Sequence, residues 1–245
     1  MIRSLIALLF VYHSVHYAQT PSGSEILRKV DENMNAETRV LTSKMVIQGR
    51  RGSRTITAKS YIKGEDKAYT EYLSPAREQG TKMLKLGDFL WTYSPATDRT
   101  IQIAGHLLRQ SVMGSDLSYE DLMEDSKLQN SYEATVVAEE NIETRPCWVL
   151  ELTAKTSDVA YYRRKVWVDR ERYIPLREER FAKSGKLLKT TDVKSVKRVG
   201  NRWVGEEVVF KDVLKKGAGT VFYIESVEFD KPISDYMFSK AILRK

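Results

Sequence analysis

Catalysis needs side chains that move protons, attack bonds or hold metals, and this 245-residue chain has few arranged to do so. It carries three histidines, His13, His16 and His106, and one cysteine, Cys147. Residues 1–18 read as an export signal: Arg3 is a positive start, residues 4–12 are an apolar run too short to span a bilayer, and Ala18 precedes the cleavage point. Cleavage there removes His13 and His16, leaving His106 alone. A zinc site usually takes three or four Cys, His or carboxylate ligands, so the supply is too small. A Ser-His-Asp triad could use only His106, and no G-x-S-x-G motif occurs. Cys147 lies in PCWVLEL, an alternating apolar strand, where a buried inert thiol is expected. Asp116, Glu120, Asp121, Glu124 and Asp125 do cluster, and paired carboxylates can do acid–base work. They sit at a helix start, however, where they suit the positive end of the helix dipole, and we read them as structural. The expectation is no catalytic residue, no metal, no cofactor and no enzyme.

The elements that would position these groups centre on residues 80–124. Phe89, Trp91 and Tyr93 alternate with Leu90 and Thr92, which is period two and aromatic, hence a strand. Short extended runs flank it at 81–86 and 99–103. The pattern then breaks. Gly105, Gly114 and Ser115 punctuate a connector carrying Leu107, Leu108, Val112 and Met113, more apolar side chains than a solvated loop needs. A helix start follows, with Ser118 as cap, Asp121 three residues on, and Leu117 and Leu122 placed as a hydrophobic staple.

The remainder is mostly strand. Residues 22–37 form one early helix, with Ile26, Leu27, Val30 and Met34 near one face and Ser24 as candidate cap. Alternating runs separated by Gly, Asn and Asp turns then continue to residue 229, with a helical turn near 234–238 and a last strand after it. About ten strands in one domain exceed what a flat sheet holds without curling. The charge is basic: formal net charge is +7, and +6 once Arg3 leaves with no acid beside it. Such a surface suits an anionic partner. The densest basic run, 163–180, is interleaved with acids, lacks a nucleic-acid motif and reads as the wet face of two strands.

GTKML, LWTYSP, the Asp98–Arg99 pair and QSVMGSDLSYEDL, in that order, resemble the outer-membrane lipoprotein-sorting proteins, the LolA-like periplasmic carriers. MGSDLSYEDL is the most specific part, and the likeness runs from about residue 24 to the end. The resemblance implies an α+β fold, a strongly curved antiparallel sheet or half β-barrel with helices covering its concave side. It makes residues 19–245 a single carrier-like domain. It also implies an apolar cavity for acyl chains. On that reading Met83, Trp91, Tyr93, Leu107, Leu108, Met113, Leu117, Leu122 and Trp148 are the candidates for cavity and lid, because adaptable Met and Leu suit a flexible ligand. The implied cargo is an acylated lipoprotein or lipid in the periplasm, with an inner-membrane export transporter as loader, an outer-membrane acceptor and no nucleic acid. A lipid-sensing periplasmic regulator or interaction protein of the same fold is the alternative.

Overall fold

A computed structural model describes residues 20–49, 52–124 and 127–244 of the chain. The expected export signal and Asp125 lie outside the described residues. A first meander comprises β1 (Thr38–Gly49), β2 (Gly52–Lys63), β3 (Lys67–Ser74), β4 (Lys82–Leu86), β5 (Phe89–Ser94) and β6 (Arg99–Ile103). A second comprises β7 (Tyr132–Ile142), β8 (Arg145–Ala154), β9 (Arg163–Asp169), β10 (Pro175–Phe181), β11 (Leu187–Val199), β12 (Arg202–Asp212) and β13 (Thr220–Phe229). Pairing of β1 with β13, with Met45 opposite Phe222, joins them into one antiparallel sheet of thirteen strands. The count exceeds the ten or so strands suggested by sequence, because the short runs β4, β5 and β6 each pair as full members.

The sheet is open, with β6 and β7 as its edges. It bends enough for distant parts to meet. Asn130, just before β7, donates to Glu65 in the turn after β2 at 3.1 Å, and Lys127 pairs with the same carboxylate.

Helical structure is sparse. Helix α1 (Gly23–Met34) is capped by Ser22, not Ser24, whose side chain accepts from the Glu25 amide. Ile26, Leu27 and Val30 are fully buried against Trp148, Leu150, Leu152, Val166 and Val168, while Met34 stays exposed. A Cβ on Gly23 would stand 2.4 Å from the Ala134 carbonyl oxygen, so only glycine lets the helix press so closely onto β7. Two further helices, α2 (Tyr119–Met123) and α3 (Leu128–Ser131), are single turns. Buried Asp31 of α1 accepts from the Leu128 and Gln129 amides and ties α3 down.

The other half of this face is covered by the connector, residues 104–124, built from two 3-10 turns and α2. Helices therefore cover only part of the face. On the opposite face Phe238 and Leu243 pack on Tyr69, Leu84 and Trp91. They come from two 3-10 turns, Asp235–Phe238 and Lys240–Arg244, the second standing where a last strand is expected. Among the described residues no helix is long and apolar enough to cross a membrane.

Candidate functional site

The connector leaves edge β6 and lies across β1–β5. Its Leu107, Leu108, Met113, Tyr119 and Met123 are half-buried over a floor of Met45, Ile47, Ile56, Ala58, Tyr72, Met83 and Leu90. The connector owes little of its path to regular structure. Met113 is in the left-handed region at φ 50°, which a non-glycine residue holds only when its surroundings fix it. Arg54 of β2 does so by donating to the Met113 carbonyl. The Asp116 carboxylate accepts from the Asp212 amide at 2.9 Å and from the Thr220 hydroxyl at 2.8 Å, fastening the connector to the end of β12 and to the start of β13. Lys85 reaches the Met123 carbonyl at 3.3 Å.

Helix α2 begins with the expected capping box: the Ser118 hydroxyl accepts from the Asp121 amide, and Asp121 accepts from the Ser118 amide at 2.6 Å. The same carboxylate also meets the sheet. Tyr161 donates to Asp121 Oδ1 at 2.6 Å, Arg180 approaches that oxygen at 3.2 Å, and Lys189 pairs with Oδ2. One turn on, Glu124 pairs with Arg164, which also holds Glu178 at 2.7 Å, and Arg180 holds Glu178 at 2.9 Å. Three cations thus face three carboxylates, all largely removed from water; Arg164 is 2% exposed.

Burial pushes the Asp121 carboxyl up, yet Lys189 and Arg180 hold it below the ordinary carboxylate range. Glu178 likewise overcomes its burial through Arg180 and Arg164 and is held down at about 2. Glu124 goes the other way, raised by burial against the pull of Arg164 and Arg180. The run 163–180 is therefore not wholly a wet face. Arg177 pairs with Asp192 in partial exposure, but Arg164 and Arg180 turn inward. The sequence held the signal for Arg164: with Val166 and Val168 inward, period two places Arg164 on the same side. A salt-bridge network of this kind is weak evidence for stability but costly to break by removing one partner.

Between the connector and α3 lies a cavity of about 430 Å³. Leu108, Met123, Leu128, Tyr132 and Val159 form its apolar wall, Glu124 and Arg164 adjoin it, and Asp88, Glu120 and Asp158 add acid. Its size falls within the range of small-molecule pockets.

The structure divides the residues singled out from sequence. Leu107, Leu108 and Met113 of the connector come together with Met83 of the sheet beneath them. Trp148 packs beneath α1, on the same face but in the other half. Trp91 and Tyr93 lie on the opposite face, among the residues beneath the C-terminal turns. Leu117 is half-buried and gives its carbonyl to the Val112 amide, and Leu122 is 39% exposed. Arg164, Glu178, Arg180 and Lys189 are the site residues the sequence reading missed.

A comparison with curated proteins finds no match. Solved structures with the same fold include a DUF1329 family protein from Desulfovibrio piger, at 24% identity and TM-score 0.82 over 90% of this chain and 97% of that one. They also include an outer-membrane lipoprotein-sorting protein domain from Vibrio parahaemolyticus, at 23% identity and TM-score 0.79 over 91% and 98%. A LolA superfamily protein from Nitrosomonas europaea aligns at 21% identity and TM-score 0.74 over 91% and 100%. A model for a family described as "Uncharacterized protein"-like matches residues 64–245, well over half of the sequence. The chain belongs to that family, and its fold is that of the LolA-like lipoprotein-sorting proteins.

Proposed function

We propose that this protein is a periplasmic carrier that shelters the acyl chains of a lipoprotein or lipid beneath its connector and carries them toward the outer membrane. The observation that carries this reading is the contrast in how the connector is held. Leu107, Leu108, Met113, Tyr119 and Met123 are only half-buried over an apolar floor, beside a cavity, while polar contacts from Arg54 to the Met113 carbonyl and from the Asp212 amide to the Asp116 carboxylate hold the connector in place. Lifting it would present Met83 and its neighbours to an acyl chain, with Leu107, Leu108 and Met113 closing over the chain. Sheltering roughly sixteen methylenes is worth on the order of 10 kcal/mol by the per-methylene rule. A carrier holding cargo that tightly needs a loader, which we assign to an inner-membrane export transporter, and an outer-membrane acceptor that binds at least comparably. The chemistry is binding, with no bond made or broken.

The test replaces Leu108 or Met113 with Glu and measures a fluorescent acyl probe and thermal melting on the same samples. A charge facing lipid tails must be desolvated, so folded variants should bind the probe at least tenfold more weakly, while Arg177→Glu should leave binding unchanged. If the folded variants bind the probe as wild type does, the acyl site is not under the connector.

A further inference from the structure

We propose that the loop between β12 and β13, residues 213–219, docks this protein on an anionic lipid bilayer. Leu214 is 61% exposed and Val213 beside it 37% exposed, so two adjacent aliphatic side chains stand in water at one loop tip. Burying such side chains in an interface is favourable in proportion to the area removed from water, and nothing within the fold does it for them.

The loop is built to present them. Asp212 accepts from the Leu214 amide at 3.0 Å, and Lys211 donates to the Asp212 and Lys215 carbonyls at 2.7 and 2.6 Å, so the turn is internally satisfied. At its far end a Cβ on Gly219 would meet the Phe210 carbonyl oxygen at 2.6 Å, which keeps the loop base tight.

The surrounding charge selects the partner. Lys216 follows in the same loop, exposed and with no partner among the described residues. The neighbouring β10–β11 turn adds exposed Lys186 and Lys183, the latter 5.6 Å over the Tyr162 ring, and the turn is joined to this loop by the Val213 amide donating to the Leu188 carbonyl at 3.0 Å. The one acid at the tip, Asp212, is occupied by the turn and by Lys215 at 4.0 Å. Exposed apolar side chains with Lys216 in the same loop and Lys186 in the adjoining turn match a surface with an apolar interior and anionic headgroups, where each lysine adds attraction. An apolar protein groove would cover Val213 and Leu214 but gain nothing from Lys186 and Lys216.

The loop also touches the connector. Lys215 donates to the Ser111 hydroxyl and the Ser115 carbonyl, both at 2.5 Å. A molecule docked by this loop therefore holds its connector next to the bilayer. The docking itself does not depend on the acyl-carrier reading.

The experiment is sedimentation of the protein, purified from the soluble fraction of cells expressing the full chain, with phosphatidylcholine vesicles with and without phosphatidylglycerol. Wild type should sediment with the anionic vesicles, less so at high salt, and hardly with the neutral ones. Val213→Ser with Leu214→Ser should weaken that binding about tenfold or more, and Lys186→Gln with Lys216→Gln by a similar factor. Both variants should melt as wild type does and bind the acyl probe unchanged without vesicles, which separates failure here from failure of the acyl site. Wild type that ignores anionic vesicles, or a Val213/Leu214 variant that sediments like wild type, overturns the proposal.

Discussion

One face of a single sheet is covered in two different ways. Over β7–β9 the cover is α1, three turns long, whose Ile26, Leu27 and Val30 are sealed against an apolar wall of Trp148, Leu150, Leu152, Val166 and Val168. Over β1–β5 the cover is the connector, whose Leu107, Leu108, Met113 and Met123 are half-buried and whose position is set by Arg54, Asp116, Asp121 and Glu124. The first arrangement stores its energy in apolar area and close packing, which is lost only by unfolding. The second stores it in hydrogen bonds and ion pairs, which exchange for water at modest net change when they open together. The same face carries a plug and a strapped connector, and the difference lies in what each cover is fastened with.

The largest effect should come from the plug. Leu150 is fully buried beneath α1, so Leu150→Ala should cost about 2–5 kcal/mol in urea unfolding. The acyl-probe affinity of the protein that remains folded should not change. A selective loss of probe affinity there would place the ligand under α1 and reverse the comparison.

The connector's fastening should instead respond to acid. Glu178 and Asp121 have folded-state values below their unfolded ones, so their contribution is present above the ordinary carboxylate range and is lost as pH falls through the folded values. For Glu178, moving from 4.5 to about 2, the contribution is of order 3 kcal/mol. Glu124 has the opposite sign and offsets part of it. Wild type should therefore lose stability between about pH 4.5 and 2. Glu178→Gln should be less stable at pH 7 and show a flatter profile. An acid profile that the substitution leaves untouched would mean that the Glu178 ion pairs do not form in solution.

The sequence showed much of the frame and little of the fastening. Phe89, Trp91 and Tyr93 announced β5, Ser118 and Asp121 announced the capping box, and the change of pattern after Ile103 announced the connector. All three signals are local, set by pleat, cap and turn chemistry. Period two also says that Met83 and Leu84 point to opposite faces, but not which face a distant segment will cover. Trp91 and Tyr93 went to the second face because Phe238 and Leu243, from the far end of the chain, pack there. Arg164 and Arg180 were masked by composition: a run rich in both signs looks solvated until Asp121 and Glu124 of the connector arrive to pair with its inward members. That pairing depends on how the connector crosses the sheet, which no short pattern encodes.

The smallest effect should be at the expected staple. Leu117 and Leu122 stand at the positions before the cap and four residues after it, where a hydrophobic contact would fix the path of the chain into α2. Leu122 is 39% exposed, however, and neither residue belongs to an apolar cluster. If polar contacts hold the connector, Leu122→Ser removes an exposed side chain and should change stability by no more than about 0.5 kcal/mol, with probe binding unaltered. Asp121→Asn, nearly identical in shape, should do far more, because it removes the charge that Lys189 and Arg180 surround and weakens the hydrogen bond from Tyr161. Urea unfolding of the two variants side by side decides the matter. A Leu122 variant that loses more stability than the Asp121 variant would show that apolar contact fastens the connector after all, and the two halves of the face would then be covered by the same means.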